Sequence, residues 1–254
     1  MFTLQERDRI RDRVLEIARG DDRVVAAALV GSLAHGDGDR WSDIDLSFAV
    51  RNDVPISDVL DDWTTTVGDD LGAVHLLDLA VAPIQYRVFL LPGCLQLDLS
   101  FSPASVFRPT SSRFRLVYGQ AGEPIEPDPL SADELLGWAV LYARDTRVSI
   151  ERSDVWRAER SLSELRSYAL SFACCLRGLP ASYGKGHDRL PAPVLAGFIG
   201  SLASSVEPRE LARALMSAVA ALRTECAIAP GAPPKLDDYL GDVVAAPWEL
   251  DEGP

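Results

Sequence analysis

The chain has 254 residues, 47% of them hydrophobic and 25% charged. That is an ordinary globular balance, suited to one large domain or two of about 100–150 residues each. Acidic residues outnumber basic ones, 38 to 25, for a net charge of −13. A generic nucleic-acid binder needs a basic face, so the charge counts against one; it favours a small cationic ligand or a metal, and serves solubility equally well.

The first element is a helix over "LQERDRIRDRVLEIARG", with Leu4, Ile10, Val14 and Ile17 at helical spacing and a stop at Gly20. Its charged, periodic sequence does not read as a signal peptide. "RVVAAALVG" reads as a buried strand ending at Gly31. After a polar loop, "DIDLSFAV" alternates: Ile44, Leu46, Phe48 and Val50 face one way, Asp43, Asp45 and Ser47 the other. "SDVLDDWTTTVGDDLG" predicts a helix, and "QYRVFLLPGCLQLDLSF" predicts two strands joined at Pro92-Gly93. In the second of these, Leu95, Leu97, Leu99 and Phe101 share one face and Gln96, Asp98 and Ser100 the other.

A proline-rich stretch near Glu123–Pro129 marks a linker, and beyond it the chain is helical. "SADELLGWAVLYARDTRVSI" opens with a Ser131/Glu134 capping box. The next helix carries Val155, Leu162, Leu165, Ala169, Phe172 and Leu176 on one stripe and closes at Gly178 and Pro180. Two more helices are predicted near 192–204 and 207–226, followed by a proline-broken tail. Cys94, Cys174, Cys175 and Cys226 form no CxxC pair. No apolar run reaches the roughly 18 residues of a membrane span. The expected setting is soluble, reduced and cytoplasmic, with no membrane and no nucleic-acid partner.

The chemistry concentrates in "VGSLAHGDGDRWSDIDLSF", Val30 to Phe48. A buried carboxylate without a partner is costly, so two acids one residue apart on a strand imply a cation to hold. Side chains at i and i+2 point the same way, about 6.6–6.8 Å apart along the strand. Asp43 and Asp45 can therefore converge on one divalent cation or bracket a pair. Oxygen-only ligands suit Mg²⁺, which takes one or two carboxylates and leaves room for substrate phosphates. The Gly31-Ser32 turn lets backbone approach a phosphate, with N–H groups and the Ser hydroxyl as donors. Asp98 adds a third carboxylate on another alternating strand. Together these are the parts of a two-metal phosphoryl or nucleotidyl transfer.

This stretch resembles the signature of the DNA polymerase β-like nucleotidyltransferase superfamily: an apolar residue, Gly-Ser, a loop, then Asp-apolar-Asp-apolar. Size and a helical second half resemble, within it, the antibiotic (aminoglycoside or lincosamide) nucleotidyltransferases. The strong match covers about residues 24–101. The resemblance implies Gly31 and Ser32 at the triphosphate, Asp43 and Asp45 holding two Mg²⁺, and Asp98 as the third carboxylate. "SYGKGHDRLP" resembles the loop through which streptomycin/spectinomycin-type adenylyltransferases bring a lysine onto the nucleotide phosphates, which would be Lys185, between two glycines. Several of these enzymes use a glutamate as base on the acceptor hydroxyl. Glu159 is a candidate, sharing a helix face with Ser163 and Arg166 away from the apolar stripe; Asp98 could itself be the base. His35, His75 and His187 have no zinc-like spacing, and Trp41 is expected to pack the signature loop.

The expected fold class is α+β: residues 1–125 a nucleotidyltransferase catalytic domain with a small mixed β-sheet, residues 126–254 an all-α helical substrate-binding domain. The expected reaction is Mg²⁺-dependent transfer of AMP from ATP to a hydroxyl of a small, cationic acceptor of the aminoglycoside type, with the two metals on Asp43, Asp45 and Asp98. Alternatives are a lincosamide or other metabolite, a protein acceptor as in antitoxin-like nucleotidyltransferases, and a non-catalytic protein that kept the fold. The presence of all three motif carboxylates argues against the last.

Overall fold

The computed structural model describes residues 1–36, 38–125, 128–229, 235–245 and 248. The chain divides into two compact units, Met1–Pro127 and Asp128–Pro254. The linker expected from the prolines includes residues 126 and 127, which lie outside the described residues.

The first unit is built on one six-stranded mixed sheet. Its helices are α1 (Leu4–Gly20) and α2 (Ile56–Leu71), and its strands are β1 (Val24–Val30), β2 (Ile44–Val50), β3 (Val74–Val81), β4 (Ile84–Leu91), β5 (Leu95–Pro103) and β6 (Phe114–Tyr118). The strand order is β3-β4-β5-β2-β1-β6; β2 and β5 are parallel, and every other neighbouring pair is antiparallel. Period-2 alternation sends Ile44, Leu46, Phe48 and Val50 of β2, and Leu95, Leu97, Leu99 and Phe101 of β5, to one face. There they are fully buried with Val14, Leu15 and Ala18 of α1 and Val59, Trp63 and Val67 of α2. Trp63 anchors this core, its ring 4.9 Å from Phe48 and edge-on to Phe101 at 5.1 Å. The polar residues of β2 and β5 are thereby turned to the other face.

Several expectations needed adjustment. A Thr3–Glu6 capping box starts α1, but Leu4 sits in its first turn and is exposed; the buried stripe is Val14, Leu15 and Ala18. Strand β3 was not predicted. "VHLLDLAV" carries a register shift between His75 and Leu77 and is exposed along its length, so no apolar/polar alternation is imposed on it. The short edge strand β6 was equally silent.

The second unit is helical: α3 (Ala132–Glu151), α4 (Val155–Cys175), α5 (Ala192–Ile199), α6 (Pro208–Cys226) and α7 (Lys235–Val244). The capping box at Ser131 and Glu134 closes both ways, opening α3. Leu162, Leu165, Ala169 and Phe172 of α4 are buried against Ala139 and Ala143 of α3 and Leu215, Val219 and Leu222 of α6. The helix expected to reach residue 204 ends at Ile199, where the Ser201 hydroxyl turns back to the Phe198 carbonyl at 2.6 Å. The tail is not wholly broken: α7 buries Leu240 and Val243 in the same core. No helix among the described residues is long and apolar enough to cross a membrane.

Candidate active site

Strand β1 ends in extended backbone at Val30 and enters a tight 3-10 turn over Gly31–Ala34. Gly31 adopts φ +67, the left-handed region that an L side chain pays to enter. A β-carbon built there would overlap Oδ2 of Asp45, so the turn and the carboxylate are in direct apposition. The segment before and within β6 pins this turn. The Gly31 N–H donates to the Arg113 carbonyl at 3.2 Å, Arg115 Nε donates to the Ala34 carbonyl at 2.8 Å, and His35 Nε2 lies 2.7 Å from the Ser112 carbonyl. His35 is thus committed to the protein backbone. Ser32 is half-buried beside Gly31.

The loop leading to the Asp pair is tied by its own side chains. Asp39 Oδ1 accepts from the Trp41 N–H at 2.8 Å and from the Ser42 hydroxyl at 3.0 Å, and Arg7 donates to the Asp39 carbonyl. Trp41 does not pack the loop, contrary to expectation. It is 55% exposed, with the Arg40 guanidinium 4.3 Å from its ring centroid. The loop delivers Asp43 one residue ahead of β2 and Asp45 inside it, both half-buried.

The parallel β2–β5 ladder sets Asp45 opposite Asp98 and Ser47 opposite Ser100. Burial pushes the Asp43 carboxyl above the usual carboxylate range, and the charge of Asp98 pushes it further. Asp98 is also raised by burial, against which a hydrogen bond from Gln96 acts. Gln96 Nε2 reaches both carboxylate oxygens of Asp98, at 3.0 and 2.9 Å. Beyond the carboxylates, Ser47, Ser100, Ser102, Tyr86, Thr110 and Arg108 line a small cavity. Sequence reasoning placed Gln96 on this face without giving it a role; its signal was the i, i+2 spacing from Asp98.

The donor set suits a hard cation. The acids are oxygen donors on one side of one sheet, two of them destabilised as anions by burial, and Asp45 lies against a turn with room for no side chain. Among the described residues no group of three or more His, Cys, Asp or Glu side chains closes around a single point. Mg²⁺ does not require one, since one or two carboxylates with water and phosphate oxygens complete its shell.

The other predicted residues lie in the helical unit. Lys185 is exposed, its Nζ 5.7 Å from the centroid of the Tyr183 ring. Left-handed backbone at Tyr183 and Gly184 presents it, and His187 anchors the loop through Ser171 at 3.1 Å. Glu159 is half-buried on α4 beside the charge of Arg166, whose guanidinium reaches the Ser163 hydroxyl at 3.4 Å and the Ser201 carbonyl at 2.9 Å. His75 pairs with Asp78 at 3.0 Å.

No family model matches the chain, and no curated protein matches it. Among solved structures it is similar to an aminoglycoside 6-adenyltransferase from Bacillus subtilis, at 14% identity and a TM-score of 0.38, over 93% of this chain and 98% of that one.

Proposed function

We propose that the protein is a nucleotidyltransferase that moves AMP from ATP to a hydroxyl of a small acceptor of the aminoglycoside type. The observation that carries this reading is the apposition of the Gly31 turn to Asp45, with Asp43 and Asp98 on the same side of the sheet. Bound Mg²⁺, held by Asp43 and Asp45, would supply charge neutralisation at the phosphates and at the developing alkoxide.

The protein's own groups then divide the work. The Ser32 N–H and hydroxyl bind phosphate oxygens, while the Gly31 N–H stays on the Arg113 carbonyl and holds the turn. Asp98 accepts the proton of the acceptor hydroxyl as its oxygen attacks the α-phosphorus. The new O–P bond forms as the bond to the bridging α–β oxygen breaks, and pyrophosphate leaves. The Lys185 ammonium is assigned to phosphate charge, and Glu159 to a cationic group of the acceptor. The Ser47 hydroxyl, one alternation beyond Asp45, suits a hydroxylated ligand.

A second reading is a less polar or protein acceptor, favoured by the exposed aliphatics Leu77, Leu79 and Val81 of β3. Incubation with α-labelled ATP and Mg²⁺ against panels of aminoglycosides, lincosamides and cell protein decides between them. Label on an aminoglycoside supports the first reading; label confined to protein or to a lincosamide supports the second.

A further inference from the structure

Three aromatic rings come together on the helical hairpin of α3 and α4. Trp138 and Tyr142 stand one turn apart on α3, and Tyr168 meets them from α4. The ring centroids are 6.1 Å apart for Trp138–Tyr142, 6.0 Å for Trp138–Tyr168 and 5.6 Å for Tyr142–Tyr168, with planes inclined by 31°, 24° and 16°. In a pile of three rings the outer two would be about twice as far apart as neighbours. Three near-equal distances between near-parallel planes make overlapping tiles instead, and tiles share a face.

Aromatics that only lock two helices together bury their rings and pair their polar edges. Here Trp138 is 44% exposed and both tyrosines are half-buried. Among the described residues, neither the Trp138 indole N–H nor the hydroxyls of Tyr142 and Tyr168 have a hydrogen-bond partner, and both hydroxyls are open to solvent. An aromatic surface with three free polar groups suits a ring that is apolar on its face and hydroxylated around its edge, as a pyranose is. Glu164 precedes Tyr168 by one turn of α4. Burial pushes the Tyr168 hydroxyl up, and so do Tyr142 and the charge of Glu164. That carboxylate, in a chain of net charge −13, opposes the phosphates of a nucleotide and favours an ammonium, which the aromatic faces also attract.

We infer that Trp138, Tyr142 and Tyr168 form a binding platform for an amino-sugar ring, with Glu164 as the counter-charge to its ammonium. The inference deepens the acceptor reading proposed above and rests on it for the class of sugar. The platform itself is carried wholly by the helical unit.

The test is calorimetric titration of the whole chain with kanamycin, without ATP or Mg²⁺. Spermine, a polycation with no sugar ring, and AMP, a nucleobase with a phosphate, are the controls. The wild type should bind kanamycin, and Trp138→Ala should bind it about five- to thirtyfold more weakly while binding spermine as before. Tyr142→Phe keeps the ring and removes only the hydroxyl. It should cost about two- to fivefold in affinity with an unchanged denaturant midpoint, an effect that a ring serving only helix packing would not show. Glu164→Gln should weaken binding more at low salt than at about 0.15 M. A wild type that does not bind kanamycin overturns the inference, as does affinity unchanged in both Trp138→Ala and Tyr142→Phe. Equal losses of kanamycin and spermine in Trp138→Ala would leave charge alone, and AMP that displaces kanamycin would make the surface a nucleobase site; either result overturns it too. If kanamycin binds in the expected pattern yet gains no adenylyl group once ATP and Mg²⁺ are added, the platform stands and the transferase reading falls.

Discussion

Gly31 and Asp45 meet so closely that any side chain on residue 31 would displace the carboxylate. The left-handed backbone at Gly31 and the alternation that turns Asp45 away from the core produce one contact, and the contact ties a candidate phosphate turn to a candidate metal ligand. Gly31→Ala should therefore act on both. Backbone strain accounts for about 1–2 kcal/mol of lost stability. Displacement of Asp45 should weaken Mg-ATP binding by about tenfold or more. Calorimetry with Mg-ATP beside a denaturant melt checks the pair of effects; unchanged ATP affinity removes the turn from the site.

Glu159 is half-buried on α4 next to the charge of Arg166. If it receives a cationic group of the acceptor, Glu159→Gln should weaken aminoglycoside binding at low salt. The difference should shrink toward 0.15 M, where screening acts over about 8 Å. Turnover at saturating acceptor should stay near wild type, because a binding group acts alike on ground and transition states. Intact binding with depressed turnover would make Glu159 the base in place of Asp98.

The first unit should show a specific acid sensitivity. Donation from Arg23, reinforced by Trp63 Nε1 at 2.8 Å, holds the Asp21 carboxyl down at about 2. Its folded pKa lies below its unfolded one, so its contribution is complete above about pH 4 and disappears as pH falls through about 2. The depression corresponds to about 2 kcal/mol. Denaturant melts between pH 5 and pH 2 should show that loss in the wild type and a flatter profile in Asp21→Asn.

In the helical unit, Arg177 grips Glu225, which is 4% exposed, and caps the Ala173 carbonyl at 2.8 Å. Glu225→Ala leaves a half-buried guanidinium without its anion. It should destabilise this unit by about 2–4 kcal/mol, somewhat below the loss for a fully enclosed pair. A two-probe denaturant melt should place the change in the helical unit; a variant as stable as the wild type would make the pair ornamental.

Sequence alone carried the parts governed by local periodicity. The carboxylate face was legible because β2 and β5 are buried on one side, which imposes alternation on Asp43, Asp45, Gln96 and Asp98. The parallel pairing of Asp45 with Asp98 was not, because register between strands 53 residues apart leaves no local pattern. Strand β3 escaped because exposure on both sides removes alternation, and α7 because prolines precede it. Trp41 was misplaced since an aromatic beside a turn carries the same signal whether it packs or, as here, lies open under Arg40. Gln96 was legible on the carboxylate face, but its hydrogen bonds to Asp98 were not, because side-chain rotamers leave no trace in the alternation.

The most direct measurement is mass spectrometry of an aminoglycoside panel after incubation with ATP and Mg²⁺, with pyrophosphate followed in parallel for the wild type and Asp45→Asn. The account predicts that at least one aminoglycoside gains one adenylyl group for each pyrophosphate released, and that Asp45→Asn, still folded, is slower by about 10³-fold or more. Near-normal turnover in Asp45→Asn, or a panel left without adenylylated product by the wild type, would contradict it.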